Sequence, residues 1–225
     1  MIKFFSLLFF LSFTYKISAQ TSELGNWMMY FGNQSITKKL NWHNEIQYRN
    51  YNTIGDLEQL LIRTGLGYDL TEKNNNVLFG LAYIKSEDYF LNASSEKIEN
   101  EELRIFQQFI TKQHFSRIYL QHRYRIEERF IENNFKMRFR YFLGLNIPFT
   151  SKKMEKGEFY FSAYNEVFVQ NESNAFDRNR YYGAIGFLLE NNFRIELGYM
   201  NQQFGLRSRD QFQIAIFNSL PFFRN

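Results

Sequence analysis

Residues 135–147 read FKMRFRYFLGLNI. On an extended strand, successive side chains point to opposite faces. Phe135, Met137, Phe139, Tyr141, Leu143, Leu145 and Ile147 therefore share one face. The other face receives Lys136, Arg138, Arg140, Phe142, Gly144 and Asn146. One side is oily over its whole length while the opposite side carries three cations. Repetition of such segments is the pattern of a β-barrel whose outer wall meets lipid and whose interior is polar.

The pattern recurs in both directions. We read strands at 23–31, 40–51, 57–70, 77–89, 102–115, 117–130, 135–147, 158–170, 178–190, 193–202 and 210–222. Most are about 12 residues, long enough to cross a bilayer when tilted. Pro148 and Pro221 sit at strand ends, where a missing amide donor costs least. The expected fold is an all-β, antiparallel transmembrane barrel of ten to twelve strands. Eleven segments are counted, whereas single-chain bacterial barrels have even numbers. The first segment, around Trp27, leaves both ten and twelve open.

The connections fall into two groups: 116–117, 191–192, 71–76 and a longer 149–157, then 90–101, 171–177 and 203–209. Short turns on the periplasmic side and long loops outside would make these the two rims, with the last strand running inward.

The start of the chain carries Lys3, an apolar run from Phe4 to Phe13, and Ser18-Ala19 before Gln20. A positive start, a brief apolar core and a small residue at the cut describe a cleaved signal peptide over 1–20. Residues 21–225 then form one barrel domain. Without Lys3 and Lys16 the formal charge falls from +4 to +2, too balanced to point to nucleic acid. The chain has no cysteine, so disulfides and thiolate chemistry are excluded. Its 27 Phe and 15 Tyr coexist with a negative mean hydropathy, as expected when every apolar face is backed by a polar one.

Periodicity alone does not tell which face points inward. Volume does: the lumen of a small barrel admits side chains or one small ligand, and Phe159, Phe161, Phe187, Leu197 and Phe212 with their many equivalents would overfill it. This argues against a soluble, lipocalin-like barrel. A β-sandwich rarely uses strands this uniformly long.

The inward face then carries Glu45 and Arg49 on the second strand, Arg123, Arg125 and Glu127 on the sixth, Arg138 and Arg140 on the seventh, and Glu166 on the eighth. Arg180 on the ninth and Arg194 and Glu196 on the tenth complete it. Neighbouring strands offer opposite charges. One reading is a ladder of Arg–carboxylate pairs filling a narrow lumen. The other is a lumen whose excess arginine selects a small polar or anionic solute. A nucleic-acid platform is disfavoured because the aromatics beside Arg123, Arg125 and Arg140 alternate to the opposite face.

His43, His114 and His122 share no metal-ligand spacing, so neither metal nor cofactor is expected. His114-Phe115-Ser116 resembles the catalytic pair of outer-membrane lipid A deacylases, in which a base activates a serine. Against it, Ser116 falls in a tight turn on the rim read as periplasmic. A non-enzymatic barrel is the leading expectation, with lipid hydrolysis by His114 and Ser116 the alternative.

Several runs also resemble a known family. They are Trp27, Glu45-Ile46-Gln47-Tyr48-Arg49, the run from Gln121 to Glu127, Arg138-Phe139-Arg140-Tyr141, Asn165-Glu166, Asp177-Arg178-Asn179-Arg180 and Glu196-Leu197-Gly198-Tyr199. The likeness is to the uncharacterised outer-membrane barrels common in Bacteroidota, labelled domain of unknown function 2490. It implies a Gram-negative outer-membrane location, with outer-membrane lipid as surroundings, and supplies no catalytic or binding residues. A monomer is expected.

Overall fold

In the computed structural model, residues 24–72, 74–90, 96–132 and 134–222 are described. The signal-peptide reading of 1–20 lies outside them. The described chain forms β1 (Gly25–Ser35), β2 (Leu40–Asn50), β3 (Leu57–Asp69), β4 (Asn75–Tyr89), β5 (Lys97–Phe115) and β6 (Ile118–Ile131). After these come β7 (Asn134–Pro148), β8 (Phe159–Gln170), β9 (Phe176–Glu190), β10 (Phe193–Phe204) and β11 (Arg207–Asn218). Each strand pairs antiparallel with the next, and β1 pairs with β11 to close the barrel.

Closure corrects the wholly antiparallel expectation. Strands that alternate up and down an odd number of times leave the first and last pointing the same way, so their pairing must be parallel. β1 and β11 run parallel from Gly25 opposite Gln211 to Gly32 opposite Asn218. The eleven segments are thus all real, and no edge is left unpaired. Beyond β11, the Ser219 amide donates to the Asn192 carbonyl at 2.7 Å. Phe222 then reaches past β1 to stack on Trp42 of β2, with ring centroids 5.3 Å apart.

Burial settles which face looks inward. Phe139 is 46% exposed and Leu197 57%, whereas Arg138 is 4%, Arg140 9% and Glu127 0% exposed. Apolar side chains form the outer wall and the charges face the axis, as volume requires.

The expected contrast in loop length is corrected. One rim, called upper here, carries the β1–β2, β3–β4, β5–β6, β7–β8 and β9–β10 connections, the longest of them 149–158. The other, lower rim carries the remaining five. The longest connection lies on the rim expected to be short. On the other, β5 begins at Lys97 and β10 turns into β11 through residues 205–206 alone. The reason is that polar residues which read as loop continue the ladder instead. Lys97 to Glu101 pair with Tyr89 to Lys85, extending one hairpin beyond its neighbours.

Candidate functional site: a two-part lumen

Side-chain size divides the lumen along its axis. Toward the lower rim the inward positions hold large groups: Trp27, Arg49, Arg104, Phe106, Arg138 and Phe168 are all buried. Toward the upper rim the inward positions include Gly65, Gly67, Gly144, Ser162, Ala184 and Ala215. Large side chains meet across the axis below; small ones leave it open above. The result is a vestibule of about 920 Å³ lined from Trp27 and Glu45 up to Asn74, His114 and Ser219 at the upper rim.

Below it lies a layer of ion pairs. Glu127 accepts from Arg138 Nη2 and from Arg140 Nη1, both at 2.6 Å. Guanidinium nitrogens of Arg104 and Arg125 stand 3.6 Å away and that of Arg63 3.8 Å. Glu166 accepts from Arg123 and Arg140 at 2.7 Å, with Arg180 at 3.7 Å. Arg63 Nη1 donates to Glu45 Oε2 at 2.5 Å, and His43 Nε2 lies 3.3 Å from the same oxygen. Glu102 takes both Arg104 and Arg129. Glu127 and Glu166 thus have seven arginines within 4 Å between them, three held by hydrogen bonds and the others by charge alone.

Aromatic rings carry the remaining positive charge. Phe168, 1% exposed, has the guanidinium carbons of Arg140, Arg180 and Arg138 at 4.5, 4.6 and 5.3 Å from its ring centroid. Among the described residues, Arg49 forms no ion pair with a carboxylate. It donates to Gln47 and Gln59 and lies 3.8 Å from the Trp27 ring. The face of an aromatic ring is electron-rich, so it offsets part of the loss of water around these cations.

Register refines the expectation that opposite charges face each other. Glu127 is directly opposite Arg138, Glu166 opposite Arg180, and Glu45 opposite Arg63. Arg125 is opposite Arg140 instead, a like pair separated by the carboxylate of Glu127. Glu196 is opposite Gly186, not a cation. There the Tyr160 hydroxyl donates to it at 2.8 Å and that of Tyr182 at 3.3 Å. These rings lie flat over glycines of the next strand. A Cβ on Gly186 would fall 2.1 Å from Tyr160, and one on Gly198 2.4 Å from Tyr182.

Of the expected ladder, Glu45, Arg49, Arg125, Glu127, Arg138, Arg140, Glu166, Arg180 and Glu196 are buried together around the axis. Arg123 is half-buried higher up, 4.5 Å over Phe142. Arg194, its side chain 34% exposed, sits near the mouth, 4.2 Å over Phe217 and 3.7 Å from Glu196. Arg63, Glu102 and Arg104 were not singled out from the sequence. Glu102 and Arg104 alternate with outward Leu103 and Ile105, a signal that alternation carries, whereas Arg63 lies between Ile62 and Thr64 with no charged neighbour to mark it.

His114 and Ser116 lie where β5 turns into β6. The His114 ring stacks on Tyr119 at 4.1 Å, and Ser116 has a φ of +55° in the 116–117 turn. Among the described residues, no hydrogen bond joins the two and none links His114 to a carboxylate. Nor does any group of three or more His, Asp or Glu form a metal-binding cluster among them.

The family model for a protein of unknown function, DUF2490, matches residues 24–213, nearly the whole barrel. The chain belongs to the DUF2490 family. No curated protein and no solved structure matches it. The matched span of this DUF2490 barrel covers every residue of the ionic layer and most of the vestibule wall.

Proposed function

We propose that this DUF2490 protein is a non-enzymatic, monomeric barrel of a Gram-negative outer membrane. Its lumen receives a small anionic solute through the upper rim and is closed below by the ionic layer. The membrane placement is supported by the outer wall, where exposed Phe79, Leu103, Phe139, Phe159 and Leu197 would otherwise face water.

One observation carries the solute reading. The cavity is lined by seven cationic side chains, Arg63, Lys112, Arg123, Arg125, Arg140, Arg180 and Arg194. Four carboxylates line it, Glu45, Asp69, Glu166 and Glu196, and Glu127 lies within 4 Å of three of these arginines, so cations still outnumber carboxylates seven to five. An excess of cations within a low-dielectric wall focuses potential on the cavity and concentrates anions there. The floor argues against free passage, because its groups pair with one another across the axis.

Reconstitution in planar bilayers tests the closed floor, and membrane fractionation tests the location. The expected result is a protein in the outer-membrane fraction that shows no steady conductance. A stable open-pore current would replace the one-ended vestibule by a channel.

A further inference from the structure

Resting on the reading of the vestibule as an anion site, we infer that its occupant is an amphipathic anion: an acidic head joined to an apolar or aromatic body. The two sides of the cavity differ in chemistry. β5 and β6 present Lys112, Arg123 and Arg125 to it. The wall formed by β11 and β1 presents Met29, Phe31, Ala215 and Phe217, with the Phe31 and Phe217 rings stacked 5.0 Å apart. These residues extend the buried cluster of Trp27, Met29, Tyr182, Ala184, Met200 and Ala215. In the ring of strands β5 and β6 lie across from β11 and β1. A ligand that bridges the cavity meets both walls.

The basic wall has donors without acceptors. Arg125 is 2% exposed, and its Nη1 makes no hydrogen bond. Its other nitrogens are taken by Gln108, and the nearest carboxylate oxygen, on Glu127, is 3.6 Å away. Arg123 Nε is likewise buried without a partner. Lys112 forms no ion pair among the described residues. A buried N–H left unpaired is costly, and an oxyanion entering the cavity relieves that cost.

The apolar wall makes a second demand. A simple inorganic anion satisfies the donors but gives the Phe31 and Phe217 side of the cavity, where Arg194 already covers part of Phe217, no apolar partner. A neutral apolar molecule covers those rings and leaves Arg125 unsatisfied. Only a molecule with both parts meets both walls. The volume, about 920 Å³, is of the size that accepts such a ligand.

Calorimetric titration of the full barrel in amphipol, against an amphipol blank, tests this with three probes. They are naphthalene-2-sulfonate, methanesulfonate and naphthalene-2-methanol. The first is expected to bind at least tenfold tighter than either of the others. Lys112→Gln with Arg123→Gln is expected to weaken naphthalene-2-sulfonate at least tenfold and leave naphthalene-2-methanol unchanged. Phe217→Ala is expected to remove the advantage over methanesulfonate. Heat-dependent gel mobility confirms that each variant is folded, and Lys112→Gln alone, at the exposed mouth, keeps the test open should the double variant fail. Equal binding of the two sulfonates overturns the amphipathic inference and leaves the anion vestibule standing. Undiminished binding by folded basic variants also overturns it. Absence of binding by either sulfonate overturns the anion vestibule itself.

Discussion

The lower and upper halves of this lumen draw on the same residue types, arginine, glutamate and aromatic rings, and use them oppositely. Below, Glu127 and Glu166 each gather several guanidinium groups, and Phe168 and Trp27 cover what the carboxylates do not reach. Above, Arg123 and Arg194 lie over rings at the edge of an open space, and Glu196 is held by two tyrosines. The difference comes from the small residues between them. Where Gly144, Ser162, Ala184 and Ala215 replace large inward groups, charges cannot meet across the axis, and a cavity results. Identical chemistry becomes a plug or a binding wall according to its neighbours' volume.

The largest expected effect breaks the lower half. Glu127→Gln leaves Arg138 and Arg140 with one anionic partner fewer in a fully buried setting. Removing one member of a buried ion-pair network costs about 3–5 kcal/mol. Urea unfolding from lipid vesicles should show a loss of that order. A change below about 1 kcal/mol would mean that water already reaches the layer.

A second change probes the boundary between the halves. Gly198→Ala puts a methyl within 2.4 Å of the Tyr182 ring and forces the tyrosine away from Glu196. Overpacking of this kind costs about 1–3 kcal/mol. Tyr182→Phe keeps the ring and removes only the hydroxyl, so it should cost about 1 kcal/mol. Equal losses in the two variants would show that the ring's position over glycine is unimportant.

Much of this arrangement is legible in the sequence, and the parts that are not have physical reasons. Alternation within 135–147 and its repeats gives the strand faces, and volume tells which face is inside. The ladder from Glu45 to Glu196 follows from the same alternation. Arg63 escapes notice because it stands alone among Leu60, Leu61 and Ile62, so no local charge pattern marks it. The parallel seam depends on the parity of the whole strand count, which no local window contains. The vestibule depends on small residues from β3, β7, β8, β9 and β11 coming to one level, which is a matter of register across the barrel.

In the upper half, Arg194→Gln should change stability by no more than about 1 kcal/mol, since its partly exposed charge keeps much of its water. Set beside Glu127→Gln, it measures the contrast between the halves in one unfolding assay.

The smallest effect concerns the 149–158 connection on the upper rim. The Thr150 hydroxyl and the Thr150 and Ser151 amides donate to the Glu158 carboxylate. The Thr150 hydroxyl first, with these amides, lowers the Glu158 pKa below the ordinary carboxylate value. A lowered folded pKa contributes stability above the unfolded value, about pH 4.3, that is lost as pH falls through the folded one. Hydrogen exchange at Thr150 and Ser151, corrected for intrinsic rates, should therefore quicken below about pH 4. Glu158→Gln should remove that pH dependence; if it persists, another group holds the connection.

The division of the lumen is tested most directly by single cysteines, which this cysteine-free chain allows without background. Gln121→Cys and Asn146→Cys place thiols on the vestibule wall, and Ala82→Cys and Gln211→Cys place them at inward positions of the lower half. An anionic methanethiosulfonate reagent added to the folded barrel should modify the first two rapidly and reach the last two only after unfolding. Equal modification at all four positions would contradict a closed lower half.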